Sequence, residues 1–180
     1  STVEANDFES TLKELGNKSR SKIKIAVQNL GDLGNPAALP ALEALKDKRL
    51  GITEEGNLVI LNKSGDQGND FLSGEKVDIE SLKLRKPRIN NVVRRSLSMT
   101  IAKLKLVSNN SAVRREAAEE LLKGSSSEIV VLVEASLKKE KNDDIKETLL
   151  LVLAKINIEG EDRNKRIESI NNIKKFGNND

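Results

Sequence analysis

Between Ser108 and Ile158 the chain reads SNNSAVRREAAEELLKGSSSEIVVLVEASLKKEKNDDIKETLLLVLAKINI. Apolar positions recur there at helical spacing in three amphipathic segments, with short polar breaks between them. The first and third segments share one layout. Val113 corresponds to Ile145, Arg114 to Lys146 and Leu121 to Leu153, a constant offset of 32 residues. An offset of that size enclosing a helix–turn–helix is the mark of a stacked helical repeat, an α-solenoid.

The same rhythm runs through the N-terminal third. Asn6 or Asp7 is placed to cap a first helix that carries Phe8, Leu12 and Leu15 on one face and ends at Gly16. A second helix is expected over Ser19–Leu30, with Ile23, Ala26, Val27 and Leu30 aligned. A third follows Pro36 and Pro40, both tolerated in a first turn, with Leu39, Leu42 and Leu45 inward. This pair matches residues 112–137 at an offset of 91, Ala26 on Ala117 and Leu30 on Leu121. Residues 50–88 break the pattern. Leu58-Val59-Ile60-Leu61 has strand character, and Glu55-Gly56-Asn57 and Ser73-Gly74-Glu75 are turn signals, so a small β-hairpin or three-stranded insert is expected. Its Leu58, Ile60 and Phe71 are expected to pack on the first helices. Helices then follow over Asn90–Val107, Glu128–Lys139 and Asp143–Ile156. A separate last helix is expected over about Glu161–Phe176, after a break that follows Ile156. It carries Ile167, Ile170 and Ile173, and the final repeat is expected to lack its second helix and to need a neighbour for its apolar face.

Composition narrows the chemistry. Aromatic residues are 2% of the 180, without Trp or Tyr, so the core is aliphatic, as suits interdigitating helices. Cys and His are both absent, which removes His- and Cys-based catalytic triads and most transition-metal sites. No cofactor or metal is expected, and no enzyme. Asp66, Asp70, Glu75 and Asp78 do not have the spacing of a calcium loop. Adjacent carboxylates such as Glu119-Glu120 and Asp143-Asp144 point apart on a helix and read as surface. No run of 18 apolar residues occurs.

The net charge of +3 conceals a local basic block. Residues 81–123 hold 11 Lys/Arg against 3 Asp/Glu, and no acid interrupts residues 81–115. The block comprises Lys83, Arg85, Lys86, Arg88, Arg94, Arg95, Lys103, Lys105, Arg114 and Arg115. Of these, Arg85, Lys86, Arg88, Arg94 and Arg95 are the candidate partner-binding residues. The plainer reading of such a block is a solvated face with local pairing to Glu116, Glu119 or acids of the next turn. Nucleic acid is not expected as a partner, because single-strand binding wants aromatic platforms and the chain has three Phe. Arg94 and Arg114 each follow a Val and an Asn-Asn pair. They are expected to tie one repeat turn to the next, with Asp143 or Asp144 as acceptors.

Two resemblances rest on these blocks. SAVRREAAEELLKG and NDDIKETLLLVLAKI resemble HEAT-like repeats. Adding NPAALPALEALKDKRLG, the insert with LVI and LSGE, and INNVVRRSLSMTIAKLKLVS gives an ordered series. That series, over residues 20–158, is similar to the N-terminal extracytoplasmic domain of urea-type ABC transporter permeases, of the branched-chain amino-acid permease class. The resemblance implies a secretion signal before Ser1 and membrane spans after Asp180. It also implies a bacterial inner-membrane location facing the periplasm, and partners in the other transporter subunits and a periplasmic substrate-binding protein for urea or short amides. The fold expected is all-α. It is a HEAT-like α-solenoid of about three helix pairs with a small β-hairpin insert. The whole forms one domain over 1–180, with N-terminal helices 1–48, the insert 49–88 and helical repeats 89–180. The function expected is an accessory domain that docks or gates through protein contacts. The alternative is a free-standing HEAT-repeat adaptor for an unrelated partner.

Overall fold

A computed structural model of the protein describes residues 2–177, with side chains from Asp7 to Lys174. The chain is mostly helical and carries one small antiparallel sheet. It divides after Lys105 into two compact units.

The first unit begins with α1 (Thr2–Lys13), which tightens into a 3-10 turn at Glu14–Gly16. Because α1 starts at Thr2, Asp7 lies inside the helix rather than capping it, and its carbonyl accepts from the Ser10 and Thr11 hydroxyls. Asn6 lies outside the residues whose side chains are described. Ser19 caps α2 (Arg20–Leu33) by accepting from the Lys22 amide. Gly34, at φ 67°, closes α2 in the left-handed conformation that glycine adopts without steric penalty. A 3-10 turn over Pro36–Ala38 leads into α3 (Leu39–Lys46), with Asn35 as its side-chain cap.

The expected hairpin or three-stranded insert is instead a four-stranded meander, β1 (Leu50–Ile52), β2 (Leu58–Leu61), β3 (Gly68–Asp70) and β4 (Lys76–Val77), in the order β1-β2-β3-β4. β1 and β3 are three residues each, too short for alternation to announce them. The registers pair Leu50 with Ile60 and Leu61 with Gly68. A further bridge joins Ile52 to Arg85. The sheet belongs to the same core as the helices. Leu50, Ile52 and Leu58 are buried in one cluster with Leu12, Leu15, Ile23, Leu30 and Leu42, and Ile60 and Phe71 pack against it. α4 (Asn91–Leu106) adds Val93, Leu97, Ile101 and Leu104 to this cluster. Its buried Thr100 donates to the Val27 carbonyl at 3.3 Å, which gives that hydroxyl a partner inside an apolar contact.

The second unit holds α5 (Ser111–Lys123), a 3-10 turn at Ser127–Ile129 running into α6 (Val130–Lys139), and α7 (Asp143–Gly177). Ala117, Ala118, Leu121, Ile129, Val133, Ile145, Leu149, Val152 and Ile156 are its buried apolar residues beyond α4. The break expected after Ile156 is absent, and α7 runs through Gly160, continuous for 35 residues. One glycine in a helix interior costs about 1 kcal/mol against Ala, too little to interrupt a run of Glu, Arg and Lys. Every residue from Asn157 to Lys174 is exposed. No helix among the described residues is long and apolar enough to cross a membrane.

Candidate functional site

The basic block separates into two groups once each side chain is placed. One group is used inside the fold. Arg85 is half-buried. Its backbone pairs with Ile52 at 2.8 and 2.9 Å, and its guanidinium donates to the Gly16 carbonyl. Lys103 reaches Asp32 at 3.3 Å and Lys105 reaches Glu43 at 3.0 Å.

Arg114 makes the tightest of these links. Its Nε and Nη2 donate to the two oxygens of Glu140 at 2.8 and 3.1 Å, and its Nη1 donates to the Ser108 carbonyl at 2.8 Å. The Lys141 and Asn142 amides also donate to Glu140. Asn110 caps α5 and Asn142 caps α7, so this fork joins the two polar turns that start those helices. The hydrogen bonds from Arg114 hold the Glu140 carboxyl below its ordinary pKa, against the opposing effect of burial. The Arg114 guanidinium is raised in turn by its bond to Glu140. The turn-to-turn fork expected of Arg94 and Arg114 forms at Arg114 alone, with Glu140 as acceptor rather than Asp143 or Asp144, which stand exposed; Arg94 makes no ion pair among the described residues.

The other group forms no ion pair among the described residues. Lys86, Arg88 and Arg94 line one cleft of about 470 Å³ in the first unit, together with Arg20 and Lys48. Its apolar walls are Leu45, Leu50, Pro87 and Ile89. No carboxylate lines the cleft, and none of its five cations makes an ion pair among the described residues. Two other depressions mix the two signs; one combines Lys76 with Asp66, Asp78 and Glu80, the other Lys22 with Glu14. Arg95 is exposed one residue beyond Arg94 and is not part of the cleft lining.

Four segments build the cleft. Arg20 opens α2, Lys48 follows α3, Lys86 and Arg88 lie on the strand-like lead-in to α4, and Arg94 is in the first turns of α4. Asn90 fixes the start of α4 by accepting from the Val93 amide at 3.0 Å. Arg20 and Lys48 escape sequence reading because residues 1–80 carry a net acidic balance that masks them. A signal for Lys48 does exist. In ALKDKRLG the helix end demands a left-handed residue, and lysine stands where glycine is usual.

The acids of the insert serve its turns. Asp66 accepts from Ser64 at 2.5 Å and from Asn62 at 2.7 Å, hydrogen bonds that lower its pKa. Asp70 accepts from the Leu72 and Ser73 amides, and Asp78 from the Glu80 amide. Among the described residues no group of three or more Asp or Glu converges to hold a metal ion. Chemically, then, the arrangement favours recognition of negative charge by positioned guanidinium and ammonium groups. Comparison of the chain with protein-family models, with curated proteins and with solved structures finds no match.

Proposed function

We propose that this chain is an interaction domain, the extracytoplasmic accessory domain of a urea-type or short-chain-amide ABC permease. In this reading it docks or gates by contacting an acidic surface of the substrate-binding protein or a partner subunit. The observation that carries it is the set of basic side chains in the first unit that form no ion pair among the described residues, Lys86, Arg88 and Arg94, with exposed Arg95 beside them. Unpaired like charges raise the free energy of the folded state, and a complementary partner removes that cost. The ordered resemblance over residues 20–158 supplies the transporter context. In a HEAT-like reading of the second unit, Arg114 and Glu140 form one rung of a turn-to-turn ladder. The periplasmic location and the membrane spans belong to the same proposal.

The test is capture of the matching substrate-binding protein on the immobilised chain, with and without urea, at low and high salt. Docking predicts binding that weakens with salt, differs between loaded and empty forms, and is lost on reversing Arg94 and Arg95 to Glu. Capture that ignores both charge reversals counts against this surface. Absence of capture from a folded chain counts against docking itself.

A further inference from the structure

We propose that the cleft between the start of α2, the end of α3 and the start of α4 is a binding site for a phosphate-class anion. Two independent observations point there, and neither depends on the transporter reading.

The first is the cleft itself. Five cations from four chain segments surround it with no carboxylate among them, and three are arginines. Guanidinium forks match the planar, bidentate oxygens of phosphate, and Lys48 and Lys86 add compact point charges. A space of about 470 Å³ is the size of a small-ligand pocket, and its apolar walls exclude water from one side of the bound group. An extended acidic protein surface needs no such concavity. A tetrahedral anion carrying two or more charges does.

The second is the backbone at Lys48. Its φ is 61°, and it is the one non-glycine residue with positive φ among those described. It occupies the left-handed position of the cap that ends α3, where the Arg49 amide returns to the Ala44 carbonyl at 2.7 Å and the Lys48 amide to Leu45 at 3.3 Å. At the end of α2 the chain solves the same problem with Gly34, at φ 67°. Lysine at this position is locally unfavourable, and its side chain lines the cleft. The structure therefore assigns Lys48 as a ligand-positioning cation kept at the expense of the cap.

Inorganic pyrophosphate, titrated calorimetrically into the full chain, is the soluble probe. Vesicles of phosphatidylcholine with and without phosphatidylglycerol test the same chemistry on a lipid headgroup. The expected result is one saturable pyrophosphate site per chain. Arg94→Gln and Lys48→Gly each weaken it by about fivefold to tenfold, the worth of one charge-assisted contact, while Lys63→Gln, at an exposed lysine of the insert, changes it by less than about twofold. Lys48→Gly is also expected to raise the unfolding midpoint, so its loss of binding cannot come from misfolding. Sedimentation with phosphatidylglycerol vesicles that pyrophosphate displaces would place the phosphate on a lipid. The proposal is overturned by failure to bind either probe, by binding indifferent to both cleft variants, or by a glutamate-rich peptide that displaces pyrophosphate and binds more tightly. Capture of the substrate-binding protein can fail while pyrophosphate binding persists, which keeps the two readings separable.

Discussion

Glu140 is a carboxylate with a side chain 3% exposed, and its charge is matched by an arginine 18% exposed. Both Glu140 oxygens are engaged, and every buried side-chain N or O described has a partner. Removing one side of such a pair leaves the other ionised without its counter-charge. Arg114→Ala is therefore expected to cost about 2–4 kcal/mol, read as a shift in denaturant midpoint. The pH dependence has a definite sign. The folded Glu140 pKa lies below the unfolded carboxylate value of about 4.3, so the native state binds fewer protons than the unfolded state in that interval. The stabilisation is complete above that value and is lost as pH falls through the depressed folded pKa. Comparing wild type with Glu140→Gln at pH 7 and pH 3 should give a larger stability difference at the first than at the second. An equal difference at both would sink the assignment.

At the scale of elements, the helices were legible because their apolar stripes repeat over several turns. Leu12, Ile23, Leu30, Leu42, Leu97, Leu104, Ile145 and Leu149 are all inward-facing periodic residues, and all are buried. Leu58 and Phe71 meet the helical core as their apolar character in a polar insert suggests. The extent of the sheet was less legible. β1 and β4 are set by tertiary pairing rather than by local pattern, and Gly68 is set by space. A methyl group on Gly68 would meet Val59 Cγ1 at 2.8 Å and Leu61 Cδ2 at 3.1 Å, inside a sheet whose neighbouring side chains are buried. Gly68→Ala is accordingly expected to destabilise the first unit by about 1–3 kcal/mol, through overpacking rather than backbone conformation. A thermal melt followed by circular dichroism would show it, and an unchanged midpoint would contradict the packing described.

On the scale of the molecule, charge has to be read by location. Counting by segment finds the basic block but cannot tell Arg85, consumed by a carbonyl and a bridge, from Arg88, which lines the cleft. Nor can it bring Arg20 to Arg94 across 74 positions, because that meeting depends on how α2 and α4 share a core. The cleft was thus half-visible. Three of its five cations lie in the conspicuous block, and the other two come from a segment whose balance is acidic.

The continuity of α7 has a consequence of a different kind. Ile156 is the last buried side chain among those described, and from Asn157 to Lys174 every side chain is exposed. Twenty or so residues of solitary helix extend about 30 Å and are marginal in water. Backbone amides there should exchange with deuterium within seconds, while those of Ile145–Val152 exchange on the scale of global unfolding. Brief trypsin treatment should cut first at Arg163, Lys165 or Arg166 and leave a body that melts at the original temperature. Mechanically, such a segment is a compliant tether whose stiffness is set by whatever it is packed against.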